Sequence, residues 1–204
     1  MMDIFEAMNT QRAMRRLKTD PVDEALVWKV LEAAIRAPSG GNAQPWSFIV
    51  VTDRDKKAKI GEWYLEQWNQ SYGPAREAMM SNPAMARTFK SADHLANNIA
   101  DVPVLIFAAA RTSGLADTSG IGPNIFPAVQ NLMLAARALG LGTTLTTLHR
   151  GHEKETRELL GVPDGWETMA MIPMGWPKGK FGEGTRKPVE QVTHWETWDN
   201  HKTR

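Results

Sequence analysis

Ala37-Pro38-Ser39-Gly40-Gly41-Asn42-Ala43-Gln44-Pro45-Trp46 is the stretch around which the rest of the chain can be read. Upstream, residues 23 to 37 carry Leu26, Val30, Leu31, Ala34 and Ile35 on one helical stripe, with Asp23 and Glu24 suited to a positive N-terminal end and Pro38 as a stop. Downstream, Trp46 to Val51 is a compact β-branched run closed by Thr52-Asp53, which predicts a strand. The quoted segment is therefore a helix-to-strand connection. Its two glycines permit close approach of backbone to a ligand, and Ser39, Asn42 and Gln44 can hydrogen-bond the edge of a flat heterocycle. The plainer reading is a connecting loop whose polar side chains satisfy turn carbonyls.

Further along, residues 54 to 100 read as helical, with breaks near Gly73-Pro74 and Asn82-Pro83. Val102 to Ala110 predicts a second buried strand, and Thr112 to Pro123, rich in Gly, Ser and Thr, a loop. A helix from about Ile125 to Leu139 has almost no polar face and should be buried on nearly all sides. Gly140-Leu141-Gly142 then leads to a Thr-rich strand, Thr143 to Leu148; a helix near His152 to Leu160, a strand from Thr168 to Met174 and a tail from Trp176 follow. These elements suggest an α/β or α+β sheet covered by helices, in one domain spanning 1-204.

Composition narrows the chemistry. Lys plus Arg number 24 against 23 Asp plus Glu, a net charge of +1, so no overall field favours nucleic acid or an anionic membrane and anions must be bound locally. Cysteine is absent, which removes disulfides, thiolate metal sites, iron–sulfur clusters and cysteine nucleophiles; redox chemistry would need a borrowed cofactor. No run approaches a membrane span, and the acidic start does not resemble a signal peptide, so a cytoplasmic address is expected. Gly140-Leu141-Gly142 lacks the third glycine of a dinucleotide fingerprint and follows a helix rather than a strand. His149 and His152 have no third histidine or carboxylate run to complete a metal site, and none is expected. Against that background Arg12-Ala13-Met14-Arg15-Arg16-Leu17 stands out, because guanidinium forks between apolar anchors suit phosphate; a solvated basic turn is the alternative.

Four ordered segments resemble the nitroreductase family. Gln11 to Leu17 is similar to its RRSxRxF segment, and Ala37 to Trp46 to its APSxxNxQPW loop. Ala138-Leu139-Gly140-Leu141-Gly142-Thr143 matches a third piece, and Ile172 to Pro177 with Arg186-Lys187-Pro188-Val189 a closing strand and tail arginine. The resemblance implies an α+β fold with a central, mostly antiparallel sheet flanked by helices, in an intertwined homodimer with a swapped C-terminal arm, residues 176-204. It implies FMN between the subunits, reduced by NADH or NADPH without a Rossmann domain.

By position, the resemblance makes Arg12, Ala13 and Arg15 the first flavin-binding segment and Arg186 a phosphate contact, with Arg15 facing the N1 and O2 edge, where a cation stabilises reduced flavin. Pro38, Ser39, Gly40, Asn42 and, close behind, Gln44 match residues supplied by the partner subunit. Leu145, Thr146 and Thr147 match a strand end whose backbone lies beside the ring, one N–H aimed at N5. Gln11 and Ala13 stand where the family often has arginine and serine, so two polar contacts are missing. Arg12 and Arg16 are the candidates to replace them; failing that, FMN is held weakly or a related deazaflavin is preferred.

The activity so implied passes hydride from NAD(P)H through flavin N5 to a small electron-poor acceptor such as a nitroaromatic or quinone, with no catalytic side chain required. Residues 54-100 would form a variable lid or substrate channel, Trp63, Tyr64, Trp68 or Phe89 being candidate stacking groups, although core packing is the more common fate of such aromatics. Trp166, Trp176, Trp195 and Trp198 suggest a tail laid over a neighbouring surface. The rival functions are a flavin-fragmenting or dehalogenating relative, a non-catalytic flavin-storage protein, and a cofactor-free interaction module.

Overall fold

The computed structural model describes residues 2–112 and 120–202. In chain order its elements are helix α1 (Ile4–Thr10), α2 (Glu24–Ala34), strand β1 (Trp46–Val51), helices α3 (Arg54–Tyr72), α4 (Arg76–Ser81) and α5 (Pro83–Asn98), strand β2 (Val104–Arg111), helix α6 (Ile121–Ala138), strand β3 (Gly142–Thr143), helix α7 (Glu153–Leu160) and strand β4 (Trp166–Gly175). The four strands form one sheet in the order β1-β2-β4-β3, every neighbouring pair antiparallel. This is an α+β architecture.

Helix starts follow capping chemistry. Asp23 accepts the Ala25 N–H at 2.8 Å, Asp53 that of Lys56 at 2.9 Å and Asn82 that of Ala84 at 3.0 Å, with Pro83 in the first turn of α5. The expected breaks at Gly73-Pro74 and Asn82-Pro83 separate α3, α4 and α5.

β2 sits at the centre and is buried from Val104 to Ala110. Alternation divides its side chains between two cores. Val104, Ile106, Ala108 and Ala110 join Ala170, Ile172 and Met174 beneath α2 and α6. Leu105 and Phe107 join Met171 and Val51 beneath α3 and α5, where Ile60, Tyr64, Trp68, Phe89 and Leu95 are buried. Both faces of the sheet are thus covered, which explains why β2 reads as an unbroken apolar run.

Several boundaries differ from expectation. α2 ends at Ala34 rather than at Pro38; the Leu31 and Ala33 carbonyls are closed by the Ile35 and Arg36 N–H groups in a tightening last turn. α6 starts at Ile121, within the expected Thr112 to Pro123 loop, because Pro123 falls in the first turn, where its missing N–H costs nothing; the rest of that loop, 113–119, lies outside the described residues. α6 is buried along Ile125, Ala128, Val129, Leu132, Met133, Leu134 and Ala136, but Phe126 is 39% exposed. The expected strand from Thr143 to Leu148 shrinks to β3 and one isolated Thr146–Met171 bridge, because the chain turns at Leu148–His152 into a 3-10 helix, closed by Arg150 N–H on the Thr147 carbonyl.

His149 in that turn is fully buried. Its Nε2 lies 3.2 Å from the Thr168 carbonyl and 3.1 Å from Thr168 Oγ1, while Thr168 donates its N–H and hydroxyl to the Glu153 carboxylate. Glu153 opens α7, so the network ties that helix to β4. Burial pushes the imidazole down to about 4, with the Arg150 charge a minor contributor and the Thr168 bond opposing.

Candidate functional site

The segment from Arg12 to Lys18, which carries the guanidinium cluster, is a short extended run fixed at both ends. Met14 N–H bonds the Thr143 carbonyl at 2.8 Å, Lys18 N–H bonds that of Trp176 at 2.8 Å, and Lys178 N–H bonds that of Arg16 at 2.9 Å. Met14 and Leu17 are buried as anchors, which turns Arg12, Arg15 and Arg16 away from the core. Gly142 makes this docking possible: a Cβ there would lie 2.8 Å from the Met14 Cβ and 3.0 Å from Leu17 Cδ2. The glycine that interrupts the third matched segment is thus a contact requirement.

The three arginines open into a cleft of about 720 Å³. α5 contributes Arg87 and Lys90 to it, and the tail contributes Lys178, Lys180 and Thr185. Among the described residues no acidic side chain lines the cleft, and none of these seven cations makes an ion pair. Arg15 is half-buried; burial lowers its affinity for its proton, offset in part by the Tyr64 phenol. Guanidinium nonetheless stays charged at any working pH. A partly desolvated cation without a carboxylate partner is costly unless a ligand supplies the anion.

An apolar chamber of about 410 Å³ shares Arg15 and Thr88 with this cleft. Trp68 and Tyr72 of α3, Met79 of α4, and Met85 and Phe89 of α5 line it. Of the candidate stacking aromatics, Trp68 and Phe89 reach the chamber but belong to the core, their rings 5.3 Å apart and Trp68 Nε1 donating to Asp93. Tyr64 is also buried, its hydroxyl 2.9 Å from Thr146 Oγ1, and Trp63 stacks on His152 instead. Core packing is therefore the fate of most of them.

The remaining matched positions are distributed unevenly. Both the N–H and the carbonyl of Thr146 are taken by Met171, at 3.0 and 2.9 Å, whereas among the described residues no acceptor meets the Leu145 or Thr147 N–H. Thr185 borders the cleft, while the adjacent Arg186 folds back onto the Thr185 carbonyl at 2.9 Å and does not line it. Gln11 turns inward toward Met133, and Ala13 is exposed.

Pro38 to Gln44 does not enter the cleft of its own chain. It sits by the start of α6, with Gly40 N–H on Asn124 Oδ1 at 2.8 Å and Gln44 N–H on Ser39 Oγ at 3.0 Å. Asn42 and Gln44 both hold positive φ, 52° and 47°, and both are exposed. Left-handed non-glycine residues on a surface loop are uncommon and cluster where a ligand or partner is gripped.

Sequence reading missed Arg87, Lys90, Lys178 and Lys180, whose convergence depends on packing between distant elements. It also missed the approach of His194, Asp199 and His201 within 4.8 Å in the tail. Hydrogen bonds account for that cluster: His194 Nδ1 accepts the Asp199 N–H, and His201 Nδ1 meets the Glu190 and Thr193 carbonyls.

The tail leaves Val189, Val192, Trp195 and Trp198 exposed, Trp198 by 80%, and α1 leaves Ile4, Phe5 and Met8 exposed. No helix of the described residues is long and apolar enough to cross a membrane.

Comparison with known proteins places the chain among flavin-associated and nicotinamide-associated relatives. A relative from Methanothermobacter thermautotrophicus, whose provisional name couples NADH dehydrogenase with NAD(P)H nitroreductase, is 30% identical over 97% of this chain and 88% of its own. A Thermus thermophilus protein named NADH dehydrogenase is 27% identical over 95% of this chain and 96% of its own. Among solved structures, an iodotyrosine deiodinase bound to FMN and 3-iodo-L-tyrosine superposes with a TM-score of 0.78 at 21% identity, covering 96% of this chain and 100% of that one. The model of the Nitroreductase family matches residues 9–176, and the chain belongs to that family.

Proposed function

We propose that the chain is an FMN-dependent oxidoreductase that works as a homodimer, taking electrons from NADH or NADPH and delivering them to a planar, electron-poor acceptor such as a nitroaromatic or quinone. The observation that carries this reading is the cation-lined cleft, without a carboxylate among the described residues, joined through Arg15 and Thr88 to an apolar chamber. A phosphate-bearing flat ring system has the chemistry both compartments ask for. The names of the relatives support a nicotinamide donor, and the deiodinase structure supports FMN on this fold.

FMN, when bound, supplies the two-electron chemistry at its N5. The chain's own residues bind, orient and polarise. Arg12 and Arg16 offer forks for the phosphate, and Ala13 leaves room beside them; Arg186 would join them from the tail only by releasing the Thr185 carbonyl. Arg15, a partly desolvated cation, would stabilise the electron density that a bound flavin gains on reduction. Leu145 and Thr147, whose N–H groups are free of internal acceptors among the described residues, are the main-chain donors, and Thr146 positions them through its two bonds to Met171. Pro38, Ser39, Gly40, Asn42 and Gln44 serve the cleft of a second copy, which supports dimerisation, as do the exposed apolar faces of α1 and the tail. That tail, 176-204, is read as an arm laid on the partner, and 54-100 as the lid that builds the acceptor chamber.

The deiodinase likeness favours a second reading, reductive dehalogenation of an aromatic, because the same chamber would take a halogenated ring. Anaerobic stopped-flow mixing of the FMN-loaded protein with NADPH and NADH tests the first reading. Flavin bleaching followed by reoxidation with nitrofurazone or a quinone is expected. Absence of bleaching by both donors contradicts a reductase, and reoxidation by 3-iodotyrosine alone moves the assignment to dehalogenation.

A further inference from the structure

A flavin phosphate leaves part of the basic cleft without a task. The 12–16 segment and the tail already provide several cations for one phosphate, yet α5 adds Arg87 and Lys90 on the same wall. At this i, i+3 spacing the two are neighbours on the helix surface and repel each other. The helix's one acidic residue, Asp93, gives no relief, since its carboxylate is held by Arg76 and Trp68 Nε1. Thr88 and Ser91, which border the cleft beside them, add hydroxyl donors. The α5 set therefore has the composition of a second oxyanion subsite.

A nicotinamide coenzyme entering this cleft brings a diphosphate in either form. NADPH alone brings a phosphomonoester as well, on its ribose, with a charge near −2 at neutral pH and three acceptor oxygens that an arginine fork matches. We propose that Arg87 and Lys90, with Thr88 and Ser91, bind the ribose 2′-phosphate and make NADPH the preferred electron donor. This rests on reading the cleft as a flavin reductase site. Because Arg87 and Lys90 are exposed, the preference should fade as salt rises.

Two measurements on FMN-loaded protein test it. The first is the donor concentration dependence of anaerobic flavin bleaching; the second is calorimetric binding of 2′,5′-ADP against 5′-AMP. NADPH is expected to bind roughly tenfold tighter than NADH, the value of one lost charge-assisted hydrogen bond. A combined Arg87→Ser and Lys90→Ser variant should bring the two donors within about twofold by weakening NADPH alone, with FMN content and the NADH constant unchanged. Equal affinities in the parent, a preference that survives in the variant, or loss of FMN by the variant overturns the subsite. Should neither donor bleach the flavin, the reductase reading falls and calorimetry decides the subsite by itself. Selective 2′,5′-ADP binding that disappears in the variant upholds it; no selectivity over 5′-AMP overturns it.

Discussion

The Arg15→Ala protein is expected to reduce its flavin about a hundredfold more slowly with either nicotinamide donor, the usual cost of removing one preorganised donor from a site where charge develops. FMN affinity should fall by about 1.5 to 3 kcal/mol if a charge-assisted bond is lost. Arg15 belongs to both compartments, is half-buried, and has no acidic partner among the described residues. Those facts also fix the sign of a third effect. Removing an uncompensated, half-buried charge should leave the flavin-free protein as stable as before or more so, while the stabilisation gained on adding FMN shrinks. A merely structural arginine would behave in the opposite way, with flavin-free protein weakened and flavin kinetics untouched. Arg15→Lys should fall between, since it keeps the charge and loses the fork.

The second large effect is a pH dependence of stability centred on His149. Its folded-state value, about 4, lies below the ordinary 6.5, so an unfolded chain takes up the proton first as the pH falls. The stabilisation is fully present above about 6.5, is lost progressively from there down to about 4, and changes little below that. Between pH 7.5 and 4.5 this amounts to roughly 2 to 3 kcal/mol. Denaturant unfolding of the parent and of His149→Gln at both pH values isolates it: the variant should lose less stability on acidification by about that amount, because glutamine can still donate toward Thr168 and does not titrate. Parallel pH curves for the two proteins would mean that the imidazole is not held neutral by burial.

How much of this was legible in the residues depends on whether the deciding forces are local. Trp46 to Val51 was readable to the residue because a short β-branched run bounded by Pro45 and Thr52-Asp53 has one good conformation. Helices α3 and α5 were readable from their breakers. Thr143 to Leu148 was not, since strand propensity competes there with the 3-10 turn that inserts His149 into the core. The start of α6 was missed because Gly120, Gly122 and Pro123 look like loop residues, though the last two lie within helix.

The candidate site divides in the same way. Arg12, Arg15 and Arg16 are adjacent in sequence and visible as a cluster. Arg87, Lys90, Lys178 and Lys180 reach the same cleft only because the extended run at Met14 to Lys18 is bound to β3 on one side and to the tail on the other. No spacing encodes that meeting. Gly142 shows the converse: a residue legible as a turn-former whose role, admitting Met14 and Leu17, appears only in three dimensions. The segment Pro38 to Gln44 is assigned to ligand binding by resemblance alone; it lies away from the cleft of its own chain, and the task proposed for it is only in the cleft of a second copy.

Native mass spectrometry of the purified protein, with any released cofactor identified, tests that dependence on a second copy most directly. A dimer carrying two FMN molecules that loses both together when it dissociates is expected. A monomer that retains FMN, or a chain that takes up no flavin at any concentration, would contradict that expectation.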